Sequence, residues 1–600
     1  MRRQRGLLVL VAFIAAFFIA GYFSKHFLSA DSGDFEGDSG EVDDPESPPW
    51  QPVRLAEHDF LDNGLLEVNP GAAHPIYGLI RRAEGEWRDK LVRASTTLPQ
   101  AVAEYRRRYK RHPPKGFDGW WNYVRKHAIK LPDEYDSIHA DLEPFWGIEP
   151  TDLFAIRTKL EAKVDSYTIG KTATSRISVV NTSFAPGRHD DLIKGSKAIL
   201  DLLRDVEEFL PQFRAVFSPH DGPNRFSDYF VESAARQAAA EKRYIRRDEL
   251  PKIDPIGWLS ACASGSPGRN KSLNLDGDPP PKTIKKTFIY DHNRAMDPCL
   301  HPRHFWHHGQ FLSHGKGPTP QHEMVPEFSY CSTHIHHNIR FPTPYSWVED
   351  IFPRSDDPAW DEKSNDRAVW RGSNTGIRYT ARTRWQTSHR IALMHAANDK
   401  DGNLTVLSPT KGWTEPVGEP LVMKKSLLNP GIFDVAFAGN PILCDEEICK
   451  HLQSIFPWQR RRQSVKEAGD YKYVIDVDGN GWSGRFKRLM TTNSLVFKAT
   501  IYPEWFIDRI APWVHYVPIQ VDLSDLHDAL VFFRGDVSGM GAHDGLAHKI
   551  ADAGRRWSKQ FWRREDMVAY FYRLILEYVR LMSEDREAMS YLGFIRTTDT

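Results

Sequence analysis

The chain carries no surplus of charge of either sign. Its 79 lysines and arginines meet 79 aspartates and glutamates, so net charge gives no case for a nucleic-acid partner. No internal repeat of fixed period occurs, which sets aside solenoids and propellers. Cysteine is scarce, five in 600 residues; the number is odd, so one thiol stays free or pairs between chains. A recognisable zinc signature is also missing. His301, His304, His307 and His308 fall at HxxHxxHH spacing, but Pro302 interrupts them and no carboxylate or cysteine completes the set. No metal ligand is assigned, and these histidines are expected to shape a pocket or the core.

Long uncharged runs are equally rare. The one that matters is Leu7–Phe23, LLVLVAFIAAFFIAGYF, behind Arg2, Arg3 and Arg5. At about 1.5 Å per residue it reaches roughly 25 Å, enough for a thin internal membrane. The flanking arginines favour a cytosolic amino terminus. The expectation is a cytosolic tail over 1–6 and a transmembrane signal anchor over 7–23; a cleaved signal ending near Ser29-Ala30 is the alternative. Residues 24–52 include the acidic, Ser/Gly/Pro-rich DSGDFEGDSGEVDDPESPPWQP and form a flexible stem. Everything beyond is expected in the lumen of the ER or Golgi, in a single-pass type II arrangement. The sequons at Asn181, Asn270 and Asn403 fit that side of the membrane as glycosylation sites. In an oxidising lumen Cys444 and Cys449, bracketing a short acidic loop, suit a disulfide; Cys299–Cys331 is the second pairing considered.

Aromatics are plentiful, with 18 Trp, 21 Tyr and 33 Phe. Residues 53–165 read as helical, broken near Pro113-Pro114 and Pro132. Their Phe117, Trp120, Trp121, Tyr123, Phe145 and Trp146 are expected in the core, with an acceptor groove as the alternative. Lys194–Phe209 is apolar at helical spacing and ends before Pro211. Phe213–Phe217 is a short strand feeding a loop with Asp221. A carboxylate just past a strand's carboxyl end lies where open α/β sheets bind ligands.

The richest stretch is Tyr471–Leu526. Tyr471–Val477 reads as a buried strand, stopped by the turn Asp478-Gly479-Asn480-Gly481. A helix is expected to start within Trp482–Arg488, and a second strand covers Ser494–Thr500. Strand, glycine turn, helix and strand can present backbone N–H groups to phosphate, and Arg485, Lys487 and Arg488 add positive charge there. Upstream, Ala368–Thr375 is a strand ending in Arg371-Gly372-Ser373. The glycine allows close approach of a ligand to the backbone, Arg371 and Ser373 supply donors, and Arg378 adds charge. Trp557–Met582 reads as one long amphipathic helix.

YKYVIDVDG, GxxxSGRFK, NSLVFK, EWF and PWVHYVPIQVDLSDL, in this order over some fifty residues, resemble the signature block of glycosyltransferase family 90, in its fungal branch. The resemblance implies a GT-B-like α/β fold of two Rossmann-type lobes, here with an amino-terminal transmembrane helix and helical additions. The acceptor-side lobe would span 166–345 and the nucleotide-sugar lobe 346–555, with 556–600 as a carboxyl-terminal helix. It also implies an inverting transferase moving xylose or glucose from a UDP-sugar to a glycan, a cell-wall or capsule polysaccharide, or a protein. Asp221 matches the catalytic base. Arg371, Gly372, Ser373, Arg378, Asp478, Gly479, Ser483, Arg485, Phe486, Lys487, Ser494 and Glu504 fall on the donor-binding side; Glu504 and Asp522 would orient hydroxyls. No cofactor is expected beyond the UDP-sugar co-substrate. Two alternatives remain: a Mn²⁺-dependent GT-A-type transferase using Asp476 and Asp478 as a DxD pair, and a non-catalytic lumenal glycan-binding protein.

Overall fold

Short β-branched and aromatic runs build two large sheets, beside a three-stranded and a two-stranded one, and what covers each run sets its pattern. The computed structural model describes residues 55–343, 357–461 and 463–593. Its first sheet holds β1 (Ser166–Lys171), β2 (Ser178–Ser183), β3 (Phe213–Phe217), β4 (Glu327–Ser329) and β5 (Ile339–Arg340), in the order β2-β1-β3-β4-β5. β1 is antiparallel to β2 and β3, whereas β3, β4 and β5 run parallel. β2 alternates exposed and half-buried residues, the signature of an edge strand with one wet face. β3 is buried at every position but Arg214.

The second sheet holds β6 (Asn365–Gly372), β7 (Phe433–Ala438), β8 (Trp458–Gln459), β9 (Tyr471–Val477), β10 (Leu495–Ala499) and β11 (Val517–Pro518). Their order is β8-β7-β6-β9-β10-β11, with every neighbour parallel. This is the doubly wound arrangement, whose ligand crevice opens where the strand order reverses. The reversal lies between β6 and β9, so the crevice faces the residues after Gly372 and Val477. All seven residues of β9 but Lys472 are buried, as expected for a central parallel strand.

Two long helices close the chain, Asp544–Phe561 and Arg564–Met582. The single helix expected over Trp557–Met582 is interrupted because Asp566 caps a new start, its carboxylate accepting from the Arg563 N–H at 2.9 Å. The second helix is buried along most of its length and lies against the amino-terminal helices. Trp120 Nε1 donates to Ala569 O at 2.9 Å, Tyr570 shares a 3.1 Å bond with Ser137, and Arg580 reaches Tyr105 and Glu577 at 2.6 Å each. Phe117, Trp120, Trp121, Tyr123 and Phe145 are core residues; Trp146 is half-buried, with Arg111 and Arg586 over its ring.

Three expectations need correction. Residues from Leu55 onward form one compact unit, and only the second sheet is Rossmann-like. The first is mixed, because β1 enters it through an antiparallel neighbour on each side. The paired GT-B-like lobes are therefore not what the chain builds. Second, among the described residues no helix is long and apolar enough to cross a membrane, since charged residues recur along the long ones; the expected span at 7–23 lies outside the described residues. Third, the helix after Trp482 is a single turn, Phe486–Leu489, too short to offer a helix dipole to phosphate.

Candidate active site

The two sheets meet through their carboxyl-end loops. The loop after β3 carries Asp221, and the turn after β9 carries Asp478 to Gly481. Gly481 packs directly on the first loop: a Cβ there would sit 2.2 Å from the Asp221 carbonyl oxygen. Asn480 joins three segments. Its Oδ1 accepts from the Gly376 N–H at 2.9 Å, and its Nδ2 donates to Asp221 Oδ2 at 3.4 Å. Asp221 is exposed at this junction. The chain behind it is fixed: Arg225 makes a two-pronged pair with buried Glu327 of β4 at 2.6 and 2.7 Å, and Asn338 Oδ1 accepts from both Asn224 N and Arg225 N. Cys331 Sγ donates to the Asp221 carbonyl at 3.2 Å. The site thus has an accessible carboxylate on an anchored loop, facing the crevice of a doubly wound sheet.

Under the crevice lies a cluster of buried charge. Asp476 takes Ser483 Oγ at 2.5 Å, Lys498 Nζ at 3.2 Å and Arg485 at 3.4 Å. Asp478 Oδ2 accepts from Ile501 N at 3.0 Å and faces His308 Nε2 at 3.1 Å, while Oδ1 is buried without a partner. Burial raises the Asp478 carboxyl above its ordinary value and lowers His308 to about 3, which leaves the imidazole neutral. His308 Nδ1 accepts from Gln310 N, which leaves its Nε2–H to donate to Asp478. His389 stacks on His308 at 4.2 Å and, with Arg390 Nε, donates to the Asp478 carbonyl at 3.0 and 2.9 Å. Arg390 and Arg485 both lie over Trp370, at 5.6 and 5.3 Å. Burial, helped by Arg485, lowers the Arg390 guanidinium to about 9.

The residues expected to bind donor divide into two groups. Gly372, Ser373, Asp478, Gly479, Ser483, Arg485 and Glu504 gather at the crevice or directly beneath it. Arg485 donates to the carbonyls of Arg371 at 2.9 Å and Val477 at 3.1 Å, joining the ends of β6 and β9. Gly372 has no room for a side chain, since a Cβ would lie 2.7 Å from the Trp370 ring. Ser373 offers its carbonyl to Arg390 at 2.5 Å, and Arg378 is exposed. The others point elsewhere. The Arg371 guanidinium is taken by Asp434, at 2.5 Å to Oδ1 and 2.6 Å to the carbonyl. Lys487 is buried against the carbonyls of Ser558 and Trp562. Phe486 is core, under Lys498 and beside Phe506 and Trp562. Ser494 bonds to the Tyr471 carbonyl at 2.7 Å, at the amino end of the sheet. Asp522 faces Lys282 at 3.7 Å and Arg303 at 3.9 Å.

The sequence reading missed Asn480, His389, Arg390 and Lys498. Only the Gly/Asn turn hinted at any of them. Cys444 and Cys449 are bonded, and so are Cys262 and Cys299, leaving Cys331 free and buried. The Cys299–Cys331 pairing is excluded because Cys331 lies under the Asp221 loop. Asn270 and Asn403 are exposed; Asn181 is half-buried, its amide donating to the Glu161 carbonyl.

The DxD reading asks Asp476 and Asp478 to hold a divalent ion. These residues do not fit it. Asp476 is buried and spent on two cations and a hydroxyl, and Asp478 is buried with Oδ2 held by the Ile501 N–H and His308. Among the described residues no group of three His, Cys, Asp or Glu is arranged to hold a metal.

Glu504 is buried 3.7 Å from Lys498. Burial raises its carboxyl from 4.5 to about 8, against the pull of Lys498. A carboxyl with a raised native value holds its proton in the folded state after the unfolded chain has lost it. Its contribution is full at acidic pH and is lost as pH climbs to about 8. Glu504→Gln is expected to remove this dependence. Chemical denaturation between about pH 5 and pH 8.5 should show the variant gaining on wild type as pH rises; a constant offset would contradict the assignment.

The model of the glycosyl transferase family 90 matches residues 445–591, a stretch with β9, its turn, Arg485 and Glu504 but not Asp221. Protein O-glucosyltransferase 1 of Rattus norvegicus is 26% identical over 275 residues, covering 43% of this chain and 58% of the rat protein. Protein O-glucosyltransferase 2 of Danio rerio is 33% identical over 133 residues, 22% of this chain and 25% of that protein. O-glucosyltransferase rumi of Drosophila pseudoobscura pseudoobscura is 36% identical over 123 residues, 20% and 28% of the two chains. The chain thus spans little more than half the length of the rat relative. The ordered motifs after β9 and these similarities ally residues 445–591 with the glycosyl transferase family 90.

Proposed function

We propose that the chain transfers a sugar from a nucleotide-sugar to a hydroxyl acceptor in one inverting displacement. The observation that carries this reading is the junction at Asn480. It sets an exposed carboxylate, Asp221, against the crevice of a doubly wound sheet, where a nucleotide diphosphate belongs. Asp221 takes the proton from the acceptor hydroxyl as that oxygen attacks C1. The bond from C1 to the diphosphate breaks, and its electron pair leaves on the β-phosphate. Arg485 and Arg390 meet the growing charge. Because Asp476 and Asp478 are otherwise engaged, the reaction needs no ion there.

The names of the relatives favour glucose as the sugar and a protein as the acceptor, over xylose and a polysaccharide. Two disulfides support residence in an oxidising compartment. Purified protein should consume UDP-glucose faster than UDP-xylose, equally with and without EDTA, and give a product of inverted anomeric configuration. Failure to turn over any UDP-sugar would refute a catalytic role and favour a glycan-binding protein. Loss of turnover in EDTA would restore the metal-dependent reading.

A further inference from the structure

The segment between Asn374 and Tyr379 is held from outside the crevice at both ends. Asn374 is buried, and its amide makes a reciprocal pair with Ile442: Nδ2 donates to the Ile442 carbonyl at 2.6 Å, and Oδ1 accepts from the Ile442 N–H at 2.9 Å. Five residues on, Tyr379 N donates to Leu443 O at 2.7 Å, and Asp445 N donates to Tyr379 O at 3.0 Å. Residues 442–445 therefore act as a splint. The splint is itself closed by the Cys444–Cys449 disulfide, which ties it to the first turns of the helix Glu446–Ile455. Inside the clamped segment is Gly376, whose N–H fixes Asn480 and, through it, Asp221. Gly376 leaves no space for a side chain, since a Cβ there would lie 2.7 Å from the His389 ring and 3.2 Å from the Gly479 carbonyl oxygen.

We propose that Asn374 is a positioning residue for donor and base, and that the Cys444–Cys449 disulfide acts through it. The disulfide holds the splint, the splint holds Asn374 and Tyr379, and these set the height of Gly376 and Asn480 over the crevice. Neither cysteine touches the crevice. This rests on the proposed function for its effect on UDP, but not for its effect on the backbone.

The test uses the full chain in three forms: Asn374→Ala, Cys444→Ser/Cys449→Ser, and Cys262→Ser/Cys299→Ser as the control. In the first two, amide hydrogen exchange at Gly376 and Tyr379 should speed up, and calorimetric titration with UDP should show binding weakened by about tenfold to a hundredfold. Combining the first two should add little, because both act on one path. The control closes a loop of 37 residues in sequence, so its loss lowers thermal stability but leaves UDP affinity unchanged. Unchanged exchange at Gly376 and Tyr379 in the Cys444→Ser/Cys449→Ser or the Asn374→Ala variant overturns the proposal. A wild-type protein that fails to bind UDP, with exchange still altered in the variants, overturns the functional reading and leaves the clamp standing.

Discussion

Asp221→Asn is expected to slow sugar transfer by about 10²–10⁴-fold, the usual cost of removing a general base, while UDP binding survives. The substitution keeps the shape of the side chain and an oxygen that can still accept from Asn480. It removes only the ability to take a proton. Asp221 is exposed while the loop behind it is pinned by Arg225 to Glu327, so the variant has no structural reason to unfold. UDP titration beside turnover of the same preparation separates the two effects. Turnover within a fewfold of wild type would remove Asp221 from the chemistry.

The second large effect is expected at Arg485. Its guanidinium has five N–H groups, and three are committed to the Arg371 carbonyl, the Val477 carbonyl and Asp476. The residue sits between the ends of β6 and β9, beside the crevice where a diphosphate would gather charge as it leaves. Losing such a donor costs about 2.7–4 kcal/mol, or about 10²–10³ in turnover. Arg485→Ala should show this together with a raised donor KM. Arg485→Lys should recover part of it, since a point charge replaces the fork. A melting temperature measured on both variants guards against a merely structural loss, because Arg485 also ties β6 to β9. Unchanged kinetics in both would take Arg485 out of the site.

The strands beside the crevice were legible because they are short apolar runs ended by turn residues. Phe213–Phe217 and Tyr471–Val477 have the observed bounds, and the Asp478–Gly481 turn and Asp221 come together as their positions after strands require. Side-chain direction was less accessible. Arg371 turns to Asp434 because β6 and β7 are neighbours in a register that pairs Val369 with Asp434, a fact set by residues more than sixty positions apart. Lys487 turns to the end of the helix Asp544–Phe561 for the same kind of reason. Ser494 was avoidable: it precedes a strand parallel to β9, so it had to lie at the amino end, away from Asp478. The mixed first sheet escaped notice because the strands Ser166–Lys171 and Ser178–Ser183 carry several polar residues and lack a clear alternation.

The Arg564–Met582 helix has a consequence for how the chain is made. Trp120 waits for a partner, Ala569, that lies 449 residues downstream. At the usual 5–20 residues per second of synthesis, that delay is roughly 20–90 s. Throughout it the aromatic faces of Phe117 and Trp120 lack the cover that Arg573 and Ala569 supply. A nascent chain of this protein is therefore a long-lived client for chaperones. A premature stop codon anywhere before residue 564 would leave a product unable to bury those faces.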